Sequence, residues 1–169
     1  NAVVLVDKPQ EWTSFDVCNK LKYALKGRAK KVGHAGTLDP MATGLLVVCI
    51  GKGTKAAEHF QGMDKTYSGT LRLGEGTPSY DADEPVDERL PWEHVTDEAL
   101  QAAAAGFEGA ILQAPPMFSA LSVGGERLYK KARRGEKIEV KKREITVFAF
   151  QVWRDAPGAQ DVRFRVKCS

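Results

Sequence analysis

The sequence carries the stretch GHAGTLDPMATG at residues 33–44, and the most apolar run of the chain, LLVVCI, follows directly at residues 45–50. Asp39 precedes a proline, which biases its backbone away from the helical region and toward an extended or turn conformation. The glycines permit backbone angles that other residues avoid. The pattern predicts a shaped loop that carries Asp39 into a buried strand. These residues leave two interpretations open: a structural turn in which Asp39 bonds local amides, or a carboxylate held in place for chemistry.

The composition is typical of one soluble globular domain. The chain has 169 residues, of which 43% are hydrophobic and 28% charged. Its three cysteines are odd in number and widely spaced, which argues against a disulfide framework or a zinc site. We therefore expect a reducing compartment, the cytoplasm or an organelle, rather than secretion. No apolar run approaches the ~20 residues of a membrane span, so no membrane association is expected. No obligate protein partner is evident, and we expect a monomer.

Charge is distributed unevenly, although the formal net charge is only +3. Residues 20–31 contain six lysines and arginines and no acid, and residues 127–143 contain nine against two acids. Residues 75–98 are the reverse, with nine acids and one arginine. Such blocks are most often solvated faces. Two basic blocks that flank a candidate site are also what binding to a phosphate backbone requires.

Hydrophobic periodicity and turn residues predict an α+β fold with a largely antiparallel sheet and packed helices. We expect a helix that is capped by Thr13 or Ser14, has apolar positions including Phe15 and Tyr23, and ends at Gly27. Three more helices are predicted at residues 54–61, 97–105 and 126–134. Strands are predicted at residues 3–6, 45–50, 65–73, 107–112, 145–153 and 162–168. The last two strands should form a hairpin, residues 7–9 a turn, and the acidic residues 75–94 a long loop.

Two other motifs suggest different chemistry. GKGTKA at residues 51–56 follows a predicted strand and matches a dinucleotide-binding fingerprint, with Glu75 near the position of a ribose-binding acid. That interpretation would make the protein an oxidoreductase that uses Gly51 and Gly53. Against it, the strand at 65–73 alternates polar and apolar residues, whereas a parallel strand is buried on both faces. Asp81-Ala82-Asp83 is similar to an aspartyl-phosphate motif, but it follows no apolar strand and is better explained as a solvated loop. No zinc, calcium or P-loop spacing occurs.

Four motifs occur in order along nearly the whole chain. They are Asp7-Lys8-Pro9 with residues 13–16; residues 33–40 with 43–46; Lys65-Thr66-Tyr67; and QAPPMFSA at 113–120, followed by Arg127, Tyr129, Ala132, Arg133 and Gly135. Together they closely resemble the signature motifs of the TruB family of tRNA pseudouridine synthases. The resemblance implies a pseudouridine-synthase-like fold. It also implies isomerisation of one uridine to pseudouridine in the T-loop of tRNA (position 55), with base flipping and without a cofactor.

The resemblance also implies roles for individual residues. Asp39 would be the essential catalytic aspartate, as nucleophile or base. Tyr67 would be the catalytic-site tyrosine, which stacks on the target base and assists proton transfer. His34 would help to hold the rearranged RNA. Basic residues expected to contact RNA are Lys8, Lys65, Lys30, Lys31, Arg127, Lys130, Lys131 and Arg133. Residues 1–169 would be a catalytic domain, incomplete at its C-terminus, with a basic RNA-gripping insertion near 113–143.

The chain also differs from the family pattern. Glu11 occupies a position where the family usually has glycine, and Ser122 one where lysine is common. In the family, a Gly-Thr-Tyr-Ile-Arg motif follows the position of Ser169, and its arginine pairs with the catalytic aspartate. A C-terminal RNA-binding domain is common in bacterial members beyond that motif. A module that binds or folds tRNA without chemistry is therefore the second hypothesis.

Overall fold

A computed structural model describes residues 1–116, 119, 122–136 and 140–169. The chain forms two compact units, Asn1–Met63 and Asp64–Ser169. The interpretation of residues 1–169 as a single catalytic domain stays a prediction. No helix within the described ranges is long and apolar enough to cross a membrane.

The first unit is a three-stranded antiparallel sheet with one long helix. Its strands are β1 (Ala2–Lys8), β2 (Val32–His34) and β3 (Gly44–Ile50), in the order β1-β3-β2. The apolar run of the sequence forms the central strand β3, which pairs with β1 on one side and with β2 on the other. Most of its side chains are buried or half-buried there. Helix α1 (Ser14–Ala24) packs on this sheet, and a 3-10 helix (Gly51–Ala56) and α2 (Ala57–Gln61) follow β3. The core contains Val17, Cys18, Leu46 and Val48, with Val6, Leu21, Val32 and Leu38 packed against it.

Helix α1 begins with a capping box. The Asp16 amide donates to the Thr13 hydroxyl (3.1 Å), and the Thr13 amide donates to the Asp16 carboxylate (2.9 Å). The Thr13 hydroxyl also donates to the Asp16 carboxylate, and this bond together with that from the Thr13 amide lowers the pKa of Asp16. The helix ends at Ala24, before the predicted stop at Gly27. Phe15 and Tyr23 were expected on the apolar face, but both are exposed, because α1 packs through Val17, Cys18 and Leu21.

The second unit is built on a four-stranded antiparallel sheet in the order β4-β11-β10-β7. Its strands are β4 (Lys65–Arg72), β7 (Gly109–Gln113), β10 (Arg143–Trp153) and β11 (Asp161–Cys168). Helix α3 (Asp97–Ala105), capped by the Thr96 hydroxyl, packs against β10. The core of this unit contains Ala104, Val152 and Val162. The smaller elements are the paired strands β5 (Glu75–Gly76) and β6 (Glu88–Arg89), the paired strands β8 (Ser122–Val123) and β9 (Glu126–Arg127), and helix α4 (Leu128–Arg133).

The predicted fold class is confirmed, since every strand pairing in the described ranges is antiparallel. Several boundaries differ. Asp7 and Lys8 continue β1 rather than forming a turn, and the start of the stretch 33–44 belongs to β2. The acidic segment 75–94 is not all loop, because β5 and β6 pair within it. The basic helix predicted at 126–134 is shorter, because its first two residues form β9.

Part of the expected basic insertion lies outside the described residues. This applies to residues 117, 118, 120, 121 and 137–139, which include the end of the motif at 113–120. The side chains of Ser122, Val123, Arg127, Tyr129, Lys130 and Arg133 also lie outside the described part. The RNA contacts expected of Arg127, Lys130 and Arg133 stay predictions.

Candidate active site around Asp39

Asp39 lies on the loop between β2 and β3 and is exposed. The Ala42 amide donates to the Asp39 carbonyl oxygen (3.0 Å), which closes a tight turn through Pro40 and Met41. The side chain does not serve this turn: within the described residues, the Asp39 carboxylate has no hydrogen-bond or ion-pair partner. The interpretation of Asp39 as a side chain that caps its own turn is therefore wrong. The turn is made by the backbone, which leaves both carboxylate oxygens available to a ligand.

The residue before Asp39 is fixed by one buried hydroxyl. Ser14 Oγ donates to the Leu38 carbonyl (3.1 Å) and accepts from the Leu38 amide (2.9 Å), so a single side chain satisfies both backbone groups. Ser14 is 2% exposed. The Leu38 side chain packs against the core of the first unit. The N-terminal side of Asp39 is thereby tied to α1 and the sheet.

The residue after Asp39 is fixed by a buried ammonium group. Lys8 Nζ donates to the carbonyls of Trp12 (2.6 Å), Pro9 (2.9 Å) and Pro40 (3.2 Å). Lys8 is 0% exposed, and three acceptors occupy its three donors. The expectation that Lys8 contacts RNA is therefore wrong: its charge is used inside the protein, where it joins the end of β1 to the loop. Asp39 is held between two restrained neighbours, which is how a catalytic group is positioned before substrate binds.

Glu11 supports the same loop at some conformational cost. Its amide donates to the Pro40 carbonyl (2.8 Å), and its backbone lies in the left-handed region with φ of 67°. A residue other than glycine pays roughly 1–2 kcal/mol for that conformation. This explains physically why a glycine suits the position where this chain has glutamate.

His34 is the last residue of β2, opposite Val48 of β3. Its side chain is half-buried, and no hydrogen-bond partner for its buried Nδ1 atom exists among the described residues. Buried polar atoms are rarely left unpaired, because the lost hydration is costly. His34 therefore lies at the start of the loop that carries Asp39. Each of the two side chains has a polar atom without a hydrogen-bond partner among the described residues.

Tyr67 and Lys65 belong to the second unit. Both lie on β4, where Tyr67 pairs with Val166 and Lys65 with Cys168 of β11. Tyr67 is 44% exposed, so part of its ring is accessible on the sheet, and Lys65 is half-buried. Asp39 and His34 belong to the first unit, whereas Tyr67 and Lys65 belong to the second.

The predicted basic residues differ in their surroundings. Lys30 and Lys31 are exposed in the loop before β2, and Lys131 is half-buried on α4. Arg134 is not available in the same way, since it pairs with Glu126 (2.7 Å) and Glu136 (2.8 Å). The hydrogen bonds that Arg134 donates to these two carboxylates raise the pKa of its guanidinium.

The dinucleotide-binding hypothesis is contradicted by the sheet and by the surroundings of the glycines. The strand before Gly51 is antiparallel to both of its neighbours, so no parallel crossover is formed. A side chain at Gly53 would meet the Ala2 carbonyl oxygen at 2.5 Å, so glycine is needed there for close packing of the 3-10 helix on β1. The acidic motif is also structural: Asp81 accepts from the Ser79 hydroxyl (2.8 Å) and the Asp83 amide (3.0 Å). No group of possible metal ligands occurs among the described residues.

Comparison with solved structures identifies the class of this fold. The chain matches a chain in the crystal structure of a Cbf5-Nop10-Gar1 complex with a TM-score of 0.68 and 26% identity, over 98% of this chain and 39% of that one. It also shares its fold, with a TM-score of 0.61 and 24% identity, with a chain in the structure of an H/ACA RNP bound to a substrate RNA containing 2′-deoxyuridine. The chain spans about two fifths of the length of these solved chains, 39% and 37%. The fold is that of a pseudouridine synthase.

Sequence comparison identifies the family. A family model described as "TruB family pseudouridylate synthase (N terminal domain)" matches residues 22–169. A protein of Flavobacterium johnsoniae named tRNA pseudouridine synthase B is 45% identical, over 99% of this chain and 74% of its own length. A protein of the same name from Opitutus terrae is 46% identical, over 100% of this chain and 68% of its own length. The chain belongs to the TruB family of pseudouridylate synthases, a family of isomerases, which confirms the resemblance seen in its motifs.

Proposed function

We propose that this protein isomerises a specific uridine of tRNA to pseudouridine, at position 55 in the T-loop. Family membership and the shared name of the relatives support the reaction and the RNA class. One observation supports Asp39 as the site of the proposed reaction: its exposed carboxylate has no partner among the described residues. The residues on either side of it are fixed by hydrogen bonds from Ser14 and Lys8.

The reaction breaks the bond between N1 of uracil and C1′ of the ribose and forms a bond from C5 to C1′. The C5 proton is released and N1 gains a proton, so substrate and product have the same atoms and no electrons are exchanged. A carboxylate can divide such a step into two easier ones, as a nucleophile, or can accept a proton as a base. Asp39 supplies that group, and the balanced chemistry requires no redox cofactor.

A uridine inside a folded tRNA loop must leave the stack before a side chain can reach its ring. Extrusion costs roughly a few kcal/mol, which contacts to the rearranged RNA must offset. We assign this work to Tyr67, whose partly exposed ring offers a stacking surface, and to His34, whose half-buried imidazole lies at the start of the Asp39 loop. The exposed Lys30 and Lys31 and the half-buried Lys65 and Lys131 would neutralise phosphates.

The partner we propose is the T-arm of tRNA, bound by a monomer that acts in a reducing compartment. Cys18, Cys49 and Cys168 are free thiols, and the first two are buried in the structure. Burial raises the pKa of both buried thiols. Such thiols are poorly suited to forming disulfides, in keeping with the compartment proposed.

Tritium release tests the reaction. The full-length protein is incubated with a tRNA transcript labelled with [5-³H]uridine, and released tritium is counted. We expect Asp39→Asn to lower the rate by roughly 10²–10⁴-fold, the range for loss of one acid–base group. Its affinity for tRNA should stay within a few-fold of the parent protein. Asp83→Asn, an exposed carboxylate of the acidic loop, is the matched control and should have no effect.

Two outcomes would decide against the proposal. Full activity of Asp39→Asn would remove the catalytic role of that carboxylate. Tight tRNA binding by the parent protein without any tritium release would favour the RNA-binding module instead. A transcript with cytidine at position 55 checks the proposed target, since it should release no tritium from that position.

A further inference from the structure

A concave surface lies in the first unit, at the C-terminal end of α1. It encloses about 600 Å³ and is lined by Asn19, Lys22, Tyr23, Lys26, Gly27 and Ala29. We call it the Tyr23 pocket. None of its residues belongs to the Asp39 loop, and the motifs of the sequence assign it no role. The volume is sufficient for one nucleotide.

Tyr23 is a large aromatic residue that lies outside the core of the first unit. It lies in the last turn of α1 and is 85% exposed, while the helix packs through residues on its opposite face. The ring contributes nothing to the core of the first unit and stays accessible to a ligand at the pocket. An exposed tyrosine ring is also the surface on which unpaired RNA bases stack.

The surroundings of Tyr23 are strongly basic. Residues 20–31 contain six lysines and arginines without an intervening acid. None of the six forms an ion pair with any described residue. Two of them, Lys22 and Lys26, line the pocket itself. A stacking surface beside unpaired ammonium groups fits a nucleotide, whose base is flat and whose phosphate is anionic.

The turn that forms the pocket wall has an uncommon backbone. Lys26 and Gly27 both have positive φ angles, 46° and 79°. The conformation is held by the Lys26 amide, which donates to the Tyr23 carbonyl (3.0 Å), and by the Arg28 amide, which donates to Leu25 (2.9 Å). A lysine in the left-handed region is strained, and such residues cluster at binding sites. The turn places Lys26 at the pocket instead of extending α1 past it.

We propose that the Tyr23 pocket binds an unpaired nucleotide of the same RNA whose uridine reaches Asp39. Its base stacks on Tyr23, and Lys22 and Lys26 contact its phosphates. The inference rests on the proposed function for the identity of the RNA. Helix α1 sets the spacing: it starts at Ser14, which bonds the residue before Asp39, and Tyr23 lies nine residues further on. A rise of 1.5 Å per residue puts Tyr23 roughly 14 Å along the helix from Ser14, a length that a few nucleotides can span.

Filter binding of a radiolabelled unmodified tRNA transcript tests this inference. The full-length protein carries Asp39→Asn throughout, so that binding is measured without turnover. Tyr23→Ala should raise Kd roughly 5- to 150-fold, the effect expected from loss of one stacked base. Tyr23→Phe keeps the ring and should keep the affinity. Tyr80→Ala is the matched control, because Tyr80 is equally exposed (86%) but lies in the acidic segment.

The salt dependence of Kd tests the lysines separately. Lys22→Gln with Lys26→Gln should make the plot of log Kd against log salt shallower by about one to two. Tyr23→Ala should leave that slope unchanged, since it removes no charge. An unchanged Kd for Tyr23→Ala, or an equal loss in Tyr23→Phe, would overturn the stacking role.

These results are separable from those for the reaction. If the parent protein releases no tritium but Tyr23→Ala weakens tRNA binding, the pocket stands and the proposed isomerisation falls. If tritium is released and Tyr23→Ala binds normally, only the pocket falls. If the parent protein does not bind the transcript at all, both are refuted.

Discussion

Replacing Ser14 with alanine tests how strongly the Asp39 loop depends on one hydroxyl group. The change removes two hydrogen bonds, at 3.1 and 2.9 Å, from a side chain that is 2% exposed. Each contributes about 0.5–1.5 kcal/mol net, and a buried backbone group left unpaired costs about 1–3 kcal/mol. We expect the free energy of unfolding to fall by about 2–4 kcal/mol.

The effect on catalysis should exceed the effect on binding. Without Ser14, Leu38 is no longer bonded to α1, and the adjacent Asp39 carboxylate loses its restraint on one side. A displacement of ~1 Å at a reacting group can cost about 100-fold in rate. We therefore expect kcat for tritium release to fall about 100-fold, with KM changed only a few-fold.

Thr13→Ala is the matched control. It removes the N-cap of the same helix, at a cost of about 1 kcal/mol, but Thr13 makes no bond to the Asp39 loop. Thr13→Ala should therefore lose stability and keep kcat, when both are measured well below the unfolding temperature. If Ser14→Ala keeps the parent kcat while its unfolding temperature falls, the hydroxyl stabilises the fold without positioning Asp39, and the reasoning is refuted.

The remaining predictions concern the buried lysine and the thiols. Lys8→Met should lower the free energy of unfolding by about 3 kcal/mol or more in urea titrations, since it leaves three carbonyls without a charged donor. It should not change the salt slope of tRNA binding, and a shallower slope would show that Lys8 reaches phosphate after all. In a Cys168→Ser variant, the raised pKa of Cys18 and Cys49 keeps both as thiols at pH 8, so a disulfide reagent should react only as the protein unfolds. Rapid labelling of the native variant would contradict their burial.

The sequence by itself determined those features that depend on neighbours in the chain. The run at 45–50 became the central strand because its apolar residues favour a largely buried strand: Leu46, Val48 and Ile50 are buried, although Leu45 is exposed. Thr96 caps α3 at the predicted boundaries, since capping is a bond between residues three apart. The position of Asp39 on a loop also followed locally, from the adjacent proline and glycines. Four motifs in order then indicated the family.

Only the tertiary structure decided what the polar residues do. Lys8 was assigned to RNA because it is basic, but it bonds Pro40, 32 residues away, inside the protein. The sequence offered either Thr13 or Ser14 as the cap of α1, and the structure shows that Thr13 is the cap. The Ser14 hydroxyl instead bonds Leu38, 24 residues away in the chain. Tyr23 matched the helical period, yet it faces away from the sheet and contributes to a pocket. Periodicity reports which residues can share a helix face, whereas contacts between distant segments determine which polar groups are buried, paired or available to a ligand.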